Sequence, residues 1–364
     1  MGKLRVAIVA PSLRILGGQA VQAQRLLDAW ANDPDIDAWL VPVNPVPEGP
    51  AARLLNIKYV RTAVTQLMYW PLLFRELKQA DVVHVFSASY SSFLLAPLPA
   101  ITVARMLGRP VVLNYRSGEA PDHLKRSAIA RAAIARVDAS IVPSRFLVDV
   151  FASFDLQATA VPNVVDLNRF KFADRFPIRP RILSTRNFDS LYNVACTLRA
   201  FKLVQESWPN ATLTLVGGGA REQALRRLAA ELGLERVEFV GRVPPDRIHE
   251  YYAAHDIYVQ TPNIDNMPTS VLEAYASGLP VVSTEAGGVP AILTHGQTGL
   301  LAPIDDHLAV ASRILLLLEQ PGVTREIAQN AFATCEAYSW RHVRELWLSQ
   351  YRKVGQPHAI RMAA

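Results

Sequence analysis

Short apolar runs rich in β-branched residues alternate with longer stretches whose apolar positions recur every three or four residues. In the first half the runs predict strands at 4–10, 38–43, 81–86, 110–114 and 137–142. The amphipathic stretches between them predict helices at about 19–31, 62–79, 90–107, 122–136 and 144–153. Strand, helix, strand in regular alternation implies βαβ units, and near-continuous hydrophobicity within the runs suits a parallel sheet covered on both faces. The second half repeats the arrangement, with strands near 181–184, 211–216, 236–240, 256–260 and 280–283. Between the halves, Val161, Pro162 and Asn163 lead into a polar, basic stretch ending at Pro177 and Pro180, which reads as a linker. The pattern predicts an α/β chain of two Rossmann-like, doubly wound domains, with a cleft between them at the carboxyl ends of the strands. A last helix, from Ser339 and Trp340 to about Lys353, carries Trp340, Val343, Leu346, Trp347 and Tyr351 on one apolar face.

Composition narrows the function classes. The 364 residues are 50% hydrophobic and 19% charged, enough material for two buried sheets. A net charge of +6 suits a phosphate-bearing ligand or an anionic membrane surface and does not by itself imply nucleic acid. Two cysteines, Cys196 and Cys335, support neither a disulfide framework nor a metal centre, and point to a reducing cytoplasm. The 4–10 run is too short for a signal-peptide core, and no segment approaches the roughly 18 apolar residues needed to span a bilayer.

The densest chemistry lies at 256–278. A strand ending at Gln260 runs into a turn-rich loop, and Pro268 opens a helix where its missing N–H costs nothing. The amides of Thr269, Ser270 and Val271 then face outward with the partial positive charge of the helix start, a setting for phosphate. Glu273 lies one turn inside, positioned to accept hydrogen bonds from sugar or ribose hydroxyls. The competing reading is that Asp265 or Asn266 caps the helix and Glu273 is solvated. Near the amino terminus, Leu16, Gly17, Gly18 and Gln19 join the first strand to a helix; glycines there admit close approach of a phosphate or sugar, or serve only as a turn. Neither this turn nor Gly217–Gly219 has the third glycine of a dinucleotide fingerprint.

Asp265 and Glu273 flank Asn266, Met267 and Pro268 and are followed by Ala274, Tyr275, Ala276, Ser277, Gly278, Leu279 and Pro280. Gly287, Gly288, Val289 and Pro290 follow, then Gly296 to Leu301; upstream stand Val216 with Gly217–Gly219, and Phe239 to Pro244. This arrangement resembles the signature of retaining glycosyltransferase family four, which has the GT-B fold. The resemblance implies an acceptor-side domain at 1–165, a nucleotide-sugar domain at 166–338 and a helix at 339–364 returning to the first domain. It implies transfer of a hexosyl unit from a UDP- or GDP-sugar, with retention, to a glycan, lipid or small molecule, without metal or cofactor. Glu273 would hold the ribose and Asp265, in place of the usual glutamate, the sugar. Asn266, Met267, Pro268 and the amides of Thr269, Ser270 and Val271 would line the donor, with Arg242 and Val243 beside the base. Arg186 would clamp the diphosphate, though Leu191 replaces the expected lysine partner. Gly17 and Gly18 would close over the phosphates. Arg116 stands where many members carry histidine; permanently cationic, it would bind phosphate or an acidic acceptor, and His123 is the candidate substitute base. Two rivals are weighed: a catalytically silent nucleotide-sugar-binding or scaffold protein, and a nucleotide-sugar epimerase.

Residues 51–80 interleave Arg53, Lys58, Arg61, Arg75 and Lys78 with Leu54, Leu55, Ile57, Tyr59, Leu67, Met68, Tyr69, Trp70, Leu72, Leu73 and Phe74. Such a stretch suits peripheral contact with the inner membrane surface. The preferred reading packs its apolar side on the first sheet, with Pro71 interrupting the helix.

Overall fold

The computed structural model describes residues 2–14, 17–47 and 57–355, without the side chains of Lys58 and Tyr59. Leu16, Arg53, Leu54 and Leu55 fall outside it. The first six strands are β1 Leu4–Ala10, β2 Ile36–Pro42, β3 Val82–Ser87, β4 Val111–Tyr115, β5 Ala139–Val142 and β6 Thr159–Ala160, in the order β2-β1-β3-β4-β5-β6. The next six are β7 Arg181–Ser184, β8 Thr212–Val216, β9 Val237–Gly241, β10 Ile257–Gln260, β11 Val281–Thr284 and β12 Leu300–Ala302, in the order β12-β11-β10-β7-β8-β9. Every pairing is parallel. The fold is α/β with two doubly wound Rossmann-like sheets. The order in which strands are added reverses between β1 and β3 in one sheet and between β7 and β10 in the other, and ligands bind beyond the carboxyl ends of strands at such points.

Contacts divide the chain into two compact units, Met1–Pro162 with Arg344–Ala364, and Asn163–Val343. In the first, β3 shows why both sheet faces are covered. Val83 and Val85 pack with Tyr69, Leu73 and Leu77 of helix Lys58–Leu77 and with Ala100 and Ala104 of helix Pro97–Met106. His84 and Phe86 face the other way, where Trp347 and Tyr351 of helix Trp340–Gly355 lie against His84 at ring distances of 4.6 and 5.8 Å. Arg344 anchors that helix to Asp33 and Asp35, at 2.6 Å each.

Several helices differ from the sequence expectation. The 90–107 stretch is two helices, Tyr90–Leu95 and Pro97–Met106, because Pro97 starts a new first turn. The 122–136 stretch breaks at Ser127, whose hydroxyl caps the second helix through Ala130 N–H at 3.1 Å. Conversely, helix Lys58–Leu77 runs on through Pro71, correcting the expected interruption. Pro71 sits on the exposed side beside Leu67 and Trp70, where water reaches a carbonyl that proline leaves without its helical donor. The 163–180 stretch is not a free linker. Val165 and Phe170 are buried in the second unit, Val165 N–H donates to Tyr338 O (3.0 Å), and Asn163 Nδ2 to Met267 O (2.7 Å). The Arg175 guanidinium gathers the carbonyls of Tyr252, His255 and Ser277, closing the ends of helices Ile248–Ala254 and Thr269–Ser277.

Candidate functional site

The carboxyl ends of β7 and β10 deliver two loops to the same place in the second unit. Just past β7, Arg186 donates to Asp265 Oδ2 at 2.5 Å and to Ser270 Oγ at 3.1 Å, and its guanidinium lies 4.1 Å from the Tyr192 ring centroid. Burial opposes the charge on Arg186, but the Asp265 carboxylate and surrounding tyrosines outweigh it, so its pKa is raised and it stays cationic. Asp265 Oδ1 accepts Asn266 N–H at 2.8 Å, so its carboxylate orders the loop and pairs with Arg186. The capping alternative does not describe it. Gly288 backs the loop: its N–H donates to Asp265 O (3.1 Å), and a Cβ there would meet Asn266 O at 2.0 Å. Met267 is buried, its carbonyl held by Asn163.

Pro268 occupies the N-cap, one position before the expected one, and the helix is Thr269–Ser277. The Val271 amide donates to Pro268 O at 3.1 Å, which corrects its expected phosphate role, because that donor is already used. Ser270 keeps its hydroxyl on Arg186 and Gln260. Glu273 is buried, not solvated, and hydrogen-bonds the Tyr252 hydroxyl. Burial, then the Glu273 charge, raises the Tyr252 pKa well above its ordinary value, so Tyr252 remains a neutral donor.

Sequence reasoning missed the support behind these groups. Tyr252 reaches Thr185 Oγ1 at 2.7 Å and stacks 5.7 Å from Tyr258, residues that read as ordinary core positions. The glycine triplet has a steric reason. Gly217, at φ +155°, would place a Cβ 2.1 Å from Arg186 O, and Gly219 one 2.7 Å from Phe188 O. Phe188 N–H donates to Gly218 O (3.1 Å), so the loop after β8 holds the backbone that carries Arg186. Arg242 is exposed beside Gly218 and Val243 is half-buried. Leu191 contributes its carbonyl to Asn263 N–H (2.8 Å) and no charge.

In the first unit, Gly17 is the extended N-cap of helix Gly18–Trp30, and a Cβ on Gly17 or Gly18 would meet nothing within 4 Å. Protein packing does not demand these glycines. Gln19 Nε2 and Arg116 N–H both donate to Ser87 O, at 3.0 and 3.3 Å, tying the loops after β1, β3 and β4 together. Arg116 Nη1 donates to Asn114 Oδ1 at 3.3 Å, and burial pushes its pKa down to about 10. The Asn114 amide therefore faces His84 Nε2 (3.0 Å) as donor, leaving the His84 proton on Nδ1 toward the Tyr351 hydroxyl (2.7 Å). Burial, with Arg116 nearby, pushes His84 down to about 3. His123 is buried among Tyr90, Phe93 and Tyr115, with Nδ1 on the Tyr115 hydroxyl at 2.7 Å. That enclosure makes it structural and removes it as the substitute base.

Residues 169–334 match the model of the family described as glycosyl transferases group 1, and residues 16–169 that of glycosyltransferase family 4. Together the two models span residues 16–334, and the chain has the GT4/GT-B-type glycosyltransferase fold. Its sheets and connections are those of the GT-B fold: Anabaena HepE in complex with UDP-glucose superposes with a TM-score of 0.77 at 19% identity, covering 95% of this chain and 99% of that one. Sucrose-phosphate synthase from Thermosynechococcus elongatus gives 0.76 at 19%, covering 96% and 99%. Among curated proteins, a D-inositol 3-phosphate glycosyltransferase of Nocardia farcinica is 27% identical over 70% of this chain and 61% of its own length. A sulfoquinovosyl transferase of Arabidopsis thaliana is 27% identical over 72% and 54%. The chain thus spans little more than half the length of these relatives. In this GT-B chain, the second unit gathers a cation, a hydroxyl, a helix start and a buried carboxylate around one switch point. That set can hold a polyanion at one end and accept hydrogen bonds from hydroxyls at the other.

Proposed function

We propose that the chain transfers a hexosyl group from a nucleoside-diphosphate sugar to an acceptor hydroxyl with retention of anomeric configuration. The observation that carries this reading is the convergence of Arg186, Asp265 and Ser270 at the start of helix Thr269–Ser277, with Glu273 buried one turn inside. Arg186, its guanidinium steadied by the Ser270 hydroxyl, meets the diphosphate and stabilises its charge as the bond from the anomeric carbon to the β-phosphate oxygen breaks. Thr269 and Ser270 present the helix start. Glu273, steadied by Tyr252, accepts from the ribose hydroxyls; Asp265 accepts from the sugar. Arg242 and Val243 flank the base, which is uracil or guanine. The acceptor oxygen bonds to the anomeric carbon on the face the diphosphate leaves, and its proton passes to a departing phosphate oxygen. No enzyme nucleophile is required. The first unit serves the acceptor, with Gly17 and Gly18 leaving room for phosphate and Arg116 for an anionic group. The free, buried thiols of Cys196 and Cys335 support a cytoplasmic setting.

Nucleotide release from UDP- and GDP-sugars by the purified chain tests this proposal. Turnover abolished by Glu273→Ala supports it. A second reading, a silent nucleotide-sugar binder, is favoured by Leu191 in place of a second cation. Thermal stabilisation by a nucleoside diphosphate with no release from any donor would select the silent reading.

A further inference from the structure

Helix Lys58–Leu77 carries two apolar stripes where a helix covering a sheet needs one. Tyr69, Leu73 and Leu77 form the buried stripe. The second, Leu67, Trp70 and Phe74, points outward and is 76%, 38% and 38% exposed. Gln66 Nε2 donates to Leu95 O (2.8 Å) and the Tyr69 hydroxyl to Ala96 O (3.1 Å), which holds the segment carrying Leu94 and Leu95, 43% and 40% exposed, beside the same helix. Three large apolar side chains turned outward on one helix face mark an interaction site.

The charges beside it identify the occupant. Arg61, Arg75 and Lys78 are exposed around the stripe, while the helix's single acid, Glu76, is paired with Arg75 at 2.8 Å. The surface is a convex ridge of Leu, Trp and Phe with a surplus of cations, the form that settles at the boundary between lipid headgroups and acyl chains. No helix among the described residues is long and apolar enough to cross a membrane, so the contact is lateral.

We propose that the Leu67–Trp70–Phe74 ridge docks the chain on an anionic lipid bilayer. This goes beyond sugar transfer and does not depend on it. The test is co-sedimentation of the full chain with vesicles of phosphatidylcholine alone and of phosphatidylcholine with phosphatidylglycerol. The chain sediments with the anionic vesicles, and Leu67→Glu with Phe74→Glu lowers the partition coefficient at least about tenfold. Arg61→Ala with Lys78→Ala weakens binding to anionic vesicles only. A cooperative melt and an unchanged helical circular dichroism spectrum in each variant separate lost docking from lost folding, with Leu67→Glu alone, at the most exposed position, as the variant least able to disturb packing. Absence of wild-type sedimentation, or equal sedimentation of wild type and the Leu67→Glu, Phe74→Glu variant, overturns the proposal. So does a wild-type dimer in light scattering that this variant dissociates without any vesicle binding, since the ridge would then be a self-interface.

Discussion

Asp265→Asn separates two effects of one carboxylate. In the ligand-free chain Asp265 neutralises Arg186 in a largely buried pair, with side chains 11% and 13% exposed. Deleting one partner of such a pair costs about 3–5 kcal/mol, because the other charge is stranded. Asparagine has one oxygen for these two donors, so it keeps Arg186 or Asn266 N–H, turns its NH2 toward the other and loses the charge assistance; at least about 2 kcal/mol is expected. For a unit the size of Asn163–Val343 that lowers the melting temperature by about 4–8 °C. Nucleoside diphosphate binding moves the other way. The ligand supplies the negative charge that Arg186 now lacks and no longer meets the repulsion of Asp265, so its dissociation constant falls about tenfold, or 1.4 kcal/mol. Turnover of the nucleotide sugar nevertheless drops, because the sugar loses its carboxylate acceptor. Calorimetric titration of UDP and GDP into both proteins, beside scanning calorimetry, reads all three quantities. If the variant binds the diphosphate more weakly than wild type, Arg186 does not face the diphosphate and the site has been read incorrectly.

Gly217→Ala forces a Cβ onto the Arg186 carbonyl in a backbone region closed to it; a loss of at least about 2 kcal/mol in chemical denaturation, with loss of donor binding, is expected. Gly17→Ala meets nothing within 4 Å, so stability should hold within about 0.5 kcal/mol. Any defect should then appear in turnover alone. Tyr351→Phe removes the acceptor of the His84 proton and should destabilise the first unit by about 1–3 kcal/mol in urea titration. His84 is neutral when folded and titrates near its ordinary value when unfolded, so stability present above pH about 6.5 is lost as pH falls toward 3. The slope from this group is about 1.4 kcal/mol per pH unit; His84→Gln should flatten stability-versus-pH curves by that share, and an unchanged slope would mean that His84 is not buried neutral.

Strands β1 and β7 were legible to the residue, β1 from the run Val6 to Ala10 and β7 from Ile182 and Leu183 just after Pro180. β6 and β12 were not, since two and three residues carry no period. Arg186, Asp265 and Glu273 stood out through order and spacing along the chain. Their supports did not. Thr185 and Tyr252 are 67 positions apart, and nothing local marks a hydroxyl pair that only sheet order creates. Gly217 was visible as a glycine but not as a contact, because the atom it avoids belongs to a different strand's loop. The outward stripe on helix Lys58–Leu77 was equally hidden: periodicity places Leu67 and Leu73 on an apolar side, and only tertiary packing decides which of them is covered.

The helix Trp340–Gly355 sets an order of events during synthesis. Asn163–Val343 is one continuous stretch and can close its core as soon as it leaves the ribosome. The first unit, although made earlier, must wait with His84 uncovered until residues 344–355 arrive with Trp347 and Tyr351. The earliest-translated sheet is therefore the last to be finished, and a ribosome that stalls before Arg344 releases a chain whose amino-terminal half is exposed to chaperones and proteases.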